Sequence, residues 1–281
     1  RIALGQHLRS AQPVRDVPVQ PRNRLLNRED SNMGVRLIAK DVDAEAYATE
    51  YSAPVRRALE MIHFTNVSQS KAARNYAPGK AQGIVVGAPV ASADRITCNG
   101  LTNFIQSGIQ EPSAITFFMI ARSGDSNTSG ATRPGFLGTF DGLAADGGAS
   151  DGFALFFSGA NAISVNACYG NTASDKVFPR ATLVSQDAAN WALYSAVISA
   201  AGIVFSDLTN NRTTTQSATG GLPRRPTTNK IRIGSLFTPS GFTGSCDIAA
   251  VQLHSAVLTA EEQALTVADL RAYAARKGIR V

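Results

Sequence analysis

The chain has 281 residues, 44% of them hydrophobic and 17% charged, with a formal net charge of +6. That is enough apolar material for one large domain with an appendage, or for two small ones. No apolar run approaches the ~18–20 residues of a membrane span, so no membrane partner is expected. Cys98, Cys168 and Cys246 lie far apart without C-x-x-C spacing, which argues against a disulfide framework and a zinc site and for small buried hydrophobes.

The charge is concentrated at one end. Residues 1–40 hold eight Lys/Arg against three acids, a surplus of five, and leave the rest nearly neutral. Pro13, Pro18 and Pro21 impose extended backbone, and the apolar residues there are scattered. Residues 1–52 therefore read as a basic arm and connector, and residues 53–281 as the folded body. The arm has no Phe, Trp or Tyr before residue 41 on which bases would stack, so a nucleic-acid partner is not expected. Arg9, Arg15, Arg22, Arg24 and Arg28 are read instead as anchors on another protein.

Pro54–Phe64 has Val55, Leu59 and Ile62 at helical spacing, although the same residues also suit the lead into a first strand. A polar stretch, 65–80, follows. From residue 95 the chain alternates apolar runs with turns rich in Gly, Asn, Asp and Ser. Candidate strands are 96–98, 103–106, 114–122, 135–140, 153–159, 162–167, 193–200, 203–208, 230–237 and 246–257. Ile115–Arg122 is apolar enough for a central strand. The segments 123–134 and 209–226 read as polar loops, either of which suits a binding edge. Thr259 and Glu262 form a capping box that opens a C-terminal helix. Many strands with one terminal helix predict an all-β, antiparallel jelly-roll β-sandwich, not a βαβ fold.

Particular motifs go further. Met61-Ile-His-Phe64, Gly83-Ile-Val-Val-Gly-Ala-Pro89, Trp191-Ala-Leu-Tyr194, Ile231-Arg-Ile-Gly234, Phe242-Thr-Gly-Ser-Cys-Asp247 and Ser255-Ala-Val-Leu-Thr-Ala-Glu-Glu262 occur in an order that resembles the LamG-like domains of bacteria and phages. Those are members of the concanavalin A-like lectin/glucanase superfamily. The resemblance covers about residues 55–278. It implies the sandwich, a core position for Trp191, and the kind of lectin-like domain found in phage tail or decoration proteins. The N-terminal 50 residues match nothing in it.

Candidate chemistry is sparse. Gly148-Ala-Ser150-Asp-Gly152 fits G-x-S-x-G literally, but the serine precedes a strand, whereas a nucleophile elbow needs a helix there. The E-x-D-x-x-E string of the glucanase branch is absent, Glu111 stands in a turn, and Glu261 and Glu262 belong to a helix start. No enzymatic activity is expected. Asp141, Asp146 and Asp151 recur every five residues among glycines, a spacing that offers hard oxygen ligands to calcium or simply supplies solvated turn residues. Asp247 enters a strand beside a tight turn and reads as structural. His254 is expected to face solvent. For glycan contact the candidates are Tyr169, Asn171 and Tyr194, with Tyr169-Gly-Asn171 placed in an exposed turn.

The function expected from these readings is a non-enzymatic virion component. It would be a tail-tip, tail-fibre or decoration protein that presents a lectin-like domain to a host-surface polysaccharide. Residues 1–52 would lock it onto other virion proteins, and a homotrimer would suit that use. A secreted or cell-surface carbohydrate-binding module is the alternative, and a glycoside hydrolase the third.

Overall fold

The structure is a computed structural model and describes residues 48–125, 131–185, 187–238 and 241–281. Arg9, Arg15, Arg22, Arg24 and Arg28 lie outside the described residues. Seventeen strands and two helices follow in chain order: β1 (Leu59–Phe64), α1 (Gln69–Ala73), β2 (Ile84–Val86), β3 (Val90–Ala91), β4 (Ile96–Asn99), β5 (Phe104–Gln110), β6 (Ile115–Arg122), β7 (Gly135–Gly138), β8 (Gly142–Leu143) and β9 (Ala149–Ser150), then β10 (Phe153–Gly159), β11 (Ala162–Ala167), β12 (Arg180–Leu183), β13 (Ala192–Ser199), β14 (Gly202–Asp207), β15 (Arg212–Ser217), β16 (Lys230–Ile233), β17 (Ser245–His254) and α2 (Ala260–Arg276).

Two antiparallel sheets face each other. One has eight strands, ordered β15-β14-β13-β6-β17-β4-β3, with β1 also on β17. The other has seven, ordered β12-β11-β10-β7-β16-β5-β2. Strand β17 is long enough to take β6 along one edge and β4 followed by β1 along the other. Alternation along the strands sends Phe117, Met119, Phe153, Leu155, Phe157, Val165, Ile231 and Ile233 into the layer between the sheets. Each fully buried Phe there contributes about 1.5–3 kcal/mol of transfer free energy. Cys98 and Cys246 are free, buried and directly opposed across the β4–β17 ladder.

Strand β6 is apolar on both faces because both are covered, the second of them by α2. Phe118 and Ile120 point away from the sandwich core and meet Leu270, Tyr273 and Ala274 of the helix. The helix buries Thr266, Leu270, Tyr273 and Ala274, one stripe at helical spacing. Its capping box forms as the sequence predicts. Ala48 and Tyr51 pack on the same layer, and the Tyr51 hydroxyl donates to Asp269 at 2.8 Å.

Several local expectations change. Leu59–Phe64 is a strand, so the helical reading of Pro54–Phe64 fails; β17 supplies a pairing edge that the 3.6-residue spacing does not reveal. His254 does not face solvent. It is fully buried, with Nδ1 2.9 Å from the Arg57 carbonyl and Nε2 2.9 Å from Gln252, because α2 and the segment before β1 cover that face. The expected loop 209–226 contains β15, and the stretch before residue 193 contains β12.

Candidate functional site

A cleft of about 790 Å³ lies at one end of the sandwich. The β12–β13 loop lines it with Ser185, Asp187, Asn190 and Trp191, and the β14–β15 turn with Thr209 and Asn210. Arg212 and Arg280 complete it. Both loops are internally organised. Asp187 accepts from the Ala189 backbone at 3.1 Å and from the Asn190 side chain at 2.8 Å. Asp207, fully buried, accepts from the Thr209 and Asn210 backbones at 3.1 and 3.2 Å and from the Asn210 side chain at 2.7 Å. Arg212 clips the two loops together: one end of its guanidinium donates to the Val184 carbonyl at 2.6 Å, and the other lies 3.6 Å from Asp207.

Trp191 does not take the core position that the resemblance implies. It is half-buried, packed partly against the helix-side core, with the Arg122 guanidinium 4.7 Å over its ring. Asp247 holds Arg122 at 2.9 Å and also binds Thr97 at 2.6 Å and Arg95 at 3.1 Å, which makes it structural as expected. A half-exposed indole beside amide, hydroxyl and guanidinium groups presents an apolar wall with polar partners around it, the chemistry of a saccharide subsite. Arg280 adds a positive charge with no ion pair among the described residues.

A second depression, of about 520 Å³, includes Glu111, Asp146, Gly170, Asn171, Arg224, Arg225 and Thr227 in its lining. Its floor is closed by ion pairing. The Glu111 carboxylate meets Arg224 at 2.6 Å and accepts from the Thr139 hydroxyl at 2.5 Å, the Thr227 backbone at 2.9 Å and the Thr227 hydroxyl at 3.0 Å. Arg225 binds Asp146 at 2.7 Å and the carbonyls of Ala149 and Asn171 at 3.1 and 3.2 Å.

The predicted site residues are not brought together. Tyr169 is fully buried, its ring under the Arg224 guanidinium at 5.2 Å and its hydroxyl donating to the Ser199 carbonyl at 2.8 Å. An isolated bridge on each side of Tyr169, to Val177 and to Arg224, turns the expected exposed turn inward. Tyr194 is also buried, in the sandwich core beside Phe205. Neither can stack on a ligand. Asn171 is exposed, but its backbone and side chain are engaged by Asp175, whose carboxyl is held well below the usual range first by the Thr172 backbone N–H and then by the Asn171 side chain. Two of the three calcium candidates are engaged by cations. Asp146 is taken by Arg225 and Asp151 by Lys176 at 2.7 Å, while Asp141 sits at an exposed turn with φ of 72°. Among the described residues no group of three or more metal-ligating side chains forms. Ser150 precedes β10, as the motif's context predicts, and its hydroxyl donates to the Arg225 carbonyl at 2.5 Å.

Asn190, Asn210 and Arg212 escaped the sequence reading. Polar turn residues carry no periodic signal, and only the flag on 209–226 as a binding edge pointed toward them.

No described protein family and no curated protein matches the chain by sequence. Solved structures do match in shape. The botulinum neurotoxin serotype D binding domain superposes with a TM-score of 0.55 at 7% identity, covering 79% of this chain and 52% of the other. The binding domain of botulinum neurotoxin DC in complex with SialylT gives 0.53 at 6% identity, covering 76% and 51%. Trypanosoma rangeli sialidase with 2,3-difluorosialic acid gives 0.54 at 12% identity, covering 76% and 33%. The fold these share with the chain is an antiparallel β-sandwich. This chain spans about half the length of the neurotoxin domains and a third of the sialidase, and the likeness concerns architecture alone.

Proposed function

We propose that the protein is a non-enzymatic, lectin-like virion component that attaches to a host-surface glycan, with residues 1–52 docking on neighbouring virion proteins. The observation that carries the glycan reading is the Trp191 cleft, where an indole and the side chains of Asn190, Asn210 and Arg212 converge at one end of the sandwich. Two of the neighbours in fold are complexes, one with SialylT and one with 2,3-difluorosialic acid, which accords with a saccharide as occupant. A binding role fits better than hydrolysis because Glu111, the buried carboxylate of the second depression, is held by Arg224 and two threonines rather than presented to a substrate. The virion role rests on the LamG-like motifs and the basic arm.

A panel of neutral and acidic oligosaccharides, titrated against wild type and Trp191→Ala, tests the cleft. Loss of the stacking wall should weaken a bound glycan at least about tenfold, since truncating a central Trp anchor commonly costs ~2 kcal/mol. Unchanged affinity removes the cleft from the reading. Deleting residues 1–47 tests the arm separately: the sandwich should stay folded and particle assembly should fail, and particles that still incorporate the truncated chain would overturn the anchoring role.

A further inference from the structure

The two outer faces of the sandwich are treated differently. Helix α2 covers the eight-stranded sheet. Among the described residues, Leu236 and Phe242 from the β16–β17 connection, with Phe140, sit on the centre of the seven-stranded sheet against Ala154 and Phe156. No helix of the described residues crosses the flank over β10, β11 and β12, where Phe156, Ser164 and Asn166 lie buried under their neighbours and Arg180 is exposed. Register fixes what it presents. Asn166 lies opposite both Ala154 and Arg180, and Ser164 opposite both Phe156 and Thr182, so these side chains share the outward face.

On this flank a flat aromatic surface meets unpaired positive charge. The Arg180 guanidinium stands 5.2 Å over the Phe156 ring, and Phe140 stacks on Phe178 at 5.3 Å with 20° between the ring planes. A hydroxyl row runs beside them, with Ser164 bonded to Ser158 at 2.7 Å and to Thr182 at 2.8 Å. Arg133 approaches the same place, two residues before Gly135, which pairs with Phe156. Arg122, Arg212, Arg224 and Arg225 each meet a carboxylate. Arg133 and Arg180 meet none among the described residues. Arg133 Nε is buried without an acceptor, and so is the Asn166 Oδ1 without a donor. Burial and the neighbouring charge of Arg133 both push the Arg180 pKa down, as expected of two cations held close with nothing between them.

We propose that this flank binds the carboxylate of an acidic saccharide, with Arg133 and Arg180 gripping the anion and the half-buried Phe140–Phe178 pair lying along the sugar ring. The ligand class rests on the glycan-binding reading above; the site and its charge preference are new. Guanidinium forks match carboxylates with paired, charge-assisted hydrogen bonds. A nucleic acid would require a longer basic track than two arginines.

The test uses the full chain and calorimetric titration with oligogalacturonate, its fully methyl-esterified form and a short oligothymidylate. Oligogalacturonate should bind, and the ester, which keeps the sugar and loses the charge, should bind at least about tenfold more weakly. Arg180→Ala should cost the acid form at least about tenfold with an unchanged melting midpoint, and Arg180→Lys should restore part of it. Arg133→Ala provides a second, independent loss. Equal binding of acid and ester, no effect of either arginine variant, no binding of oligogalacturonate, 3′-sialyllactose or a heparin oligosaccharide, or equally tight oligothymidylate each overturn the proposal. Failure of the two readings is separable. Glycan binding that is lost in Trp191→Ala and persists in Arg180→Ala sinks this inference alone. Acid binding that is lost in Arg180→Ala, with no glycan affected by Trp191→Ala, sinks the cleft alone.

Discussion

Arg224 holds the Glu111 carboxylate at 2.6 Å with the two side chains 3% and 0% exposed, joining the turn after β5 to the segment before β16. Two hydroxyls and a backbone amide complete the carboxylate's shell. Removing one partner leaves a buried charge without its counter-ion, which costs about 3–5 kcal/mol. Glu111→Ala and Arg224→Ala are each expected to lower unfolding free energy by that order. The double variant Glu111→Ala/Arg224→Ala should lose clearly less than the sum of the two. Urea unfolding of the four proteins gives the coupling energy, and single losses under about 1 kcal/mol would mean that water reaches the pair.

Gly234 has φ of 79° at the end of β16, and a Cβ there would run into the Cβ and Sγ of Cys98. Only glycine satisfies both the left-handed backbone and the close approach to β4. Gly234→Ala combines a conformational penalty with overpacking in the layer between the sheets, about 3 kcal/mol together. The expected outcome is a well-folded but less stable protein by thermal or urea unfolding. A loss below about 1 kcal/mol would show that the turn yields without strain.

Gly234 also shows what could be read in advance. The step Ile231-Arg-Ile-Gly234 was visible because alternation and a required glycine are local signals, as was the Thr259–Glu262 box. Strand β6 stood out because both of its faces are covered, which makes it apolar from Phe117 to Ala121. Strand β15 was hidden for the opposite reason. Its residues, Arg-Thr-Thr-Thr-Gln-Ser, lie on an edge, where β-branched threonines serve as well as valines and no apolar period appears. The site residues were harder. Tyr169 looked exposed because Gly170 and Asn171 mark a turn, yet bridges to Val177 and Arg224 fold that turn over its own ring. The Arg225–Asp146 and Arg224–Glu111 pairs span 79 and 113 positions, and no spacing rule connects such partners.

Asp146 and Asp151 are neutralised by Arg225 and Lys176, so added calcium must displace a cation already in place at each. Neither calcium at millimolar concentration nor a chelator is expected to move the melting midpoint of the wild type. A ligand present at about a hundred times its Kd would stabilise by about 2.7 kcal/mol, easily visible as a shift of several degrees. Such a rise on adding calcium, lost in Asp151→Asn, would place a cation on this loop after all.

His63 is completely buried on β1, with Nδ1 3.0 Å from the Ala72 carbonyl and Nε2 unpartnered among the described residues. Nδ1 therefore carries the proton, and desolvation drives the pKa from 6.5 down to about 4, against a smaller upward pull from the Ala72 carbonyl. The folded state holds the neutral ring, whereas the unfolded chain takes up a proton at 6.5. Unfolding thus binds a proton between the two values. The stabilisation is complete above pH 6.5 and falls as the pH drops toward 4, by about 3 kcal/mol in all. His254, lowered chiefly by desolvation, acts with the same sign. Glu262, held down to about 2 chiefly by its hydrogen bond from Arg57, loses its contribution only below its ordinary value of 4.5, so the carboxylate limb lies lower on the pH axis. His63→Gln keeps a donor for the Ala72 carbonyl and cannot titrate. Urea unfolding of both proteins across this window should show a steep loss in the wild type and a shallower one in the variant. Parallel curves would mean that His63 is not the group that senses acid.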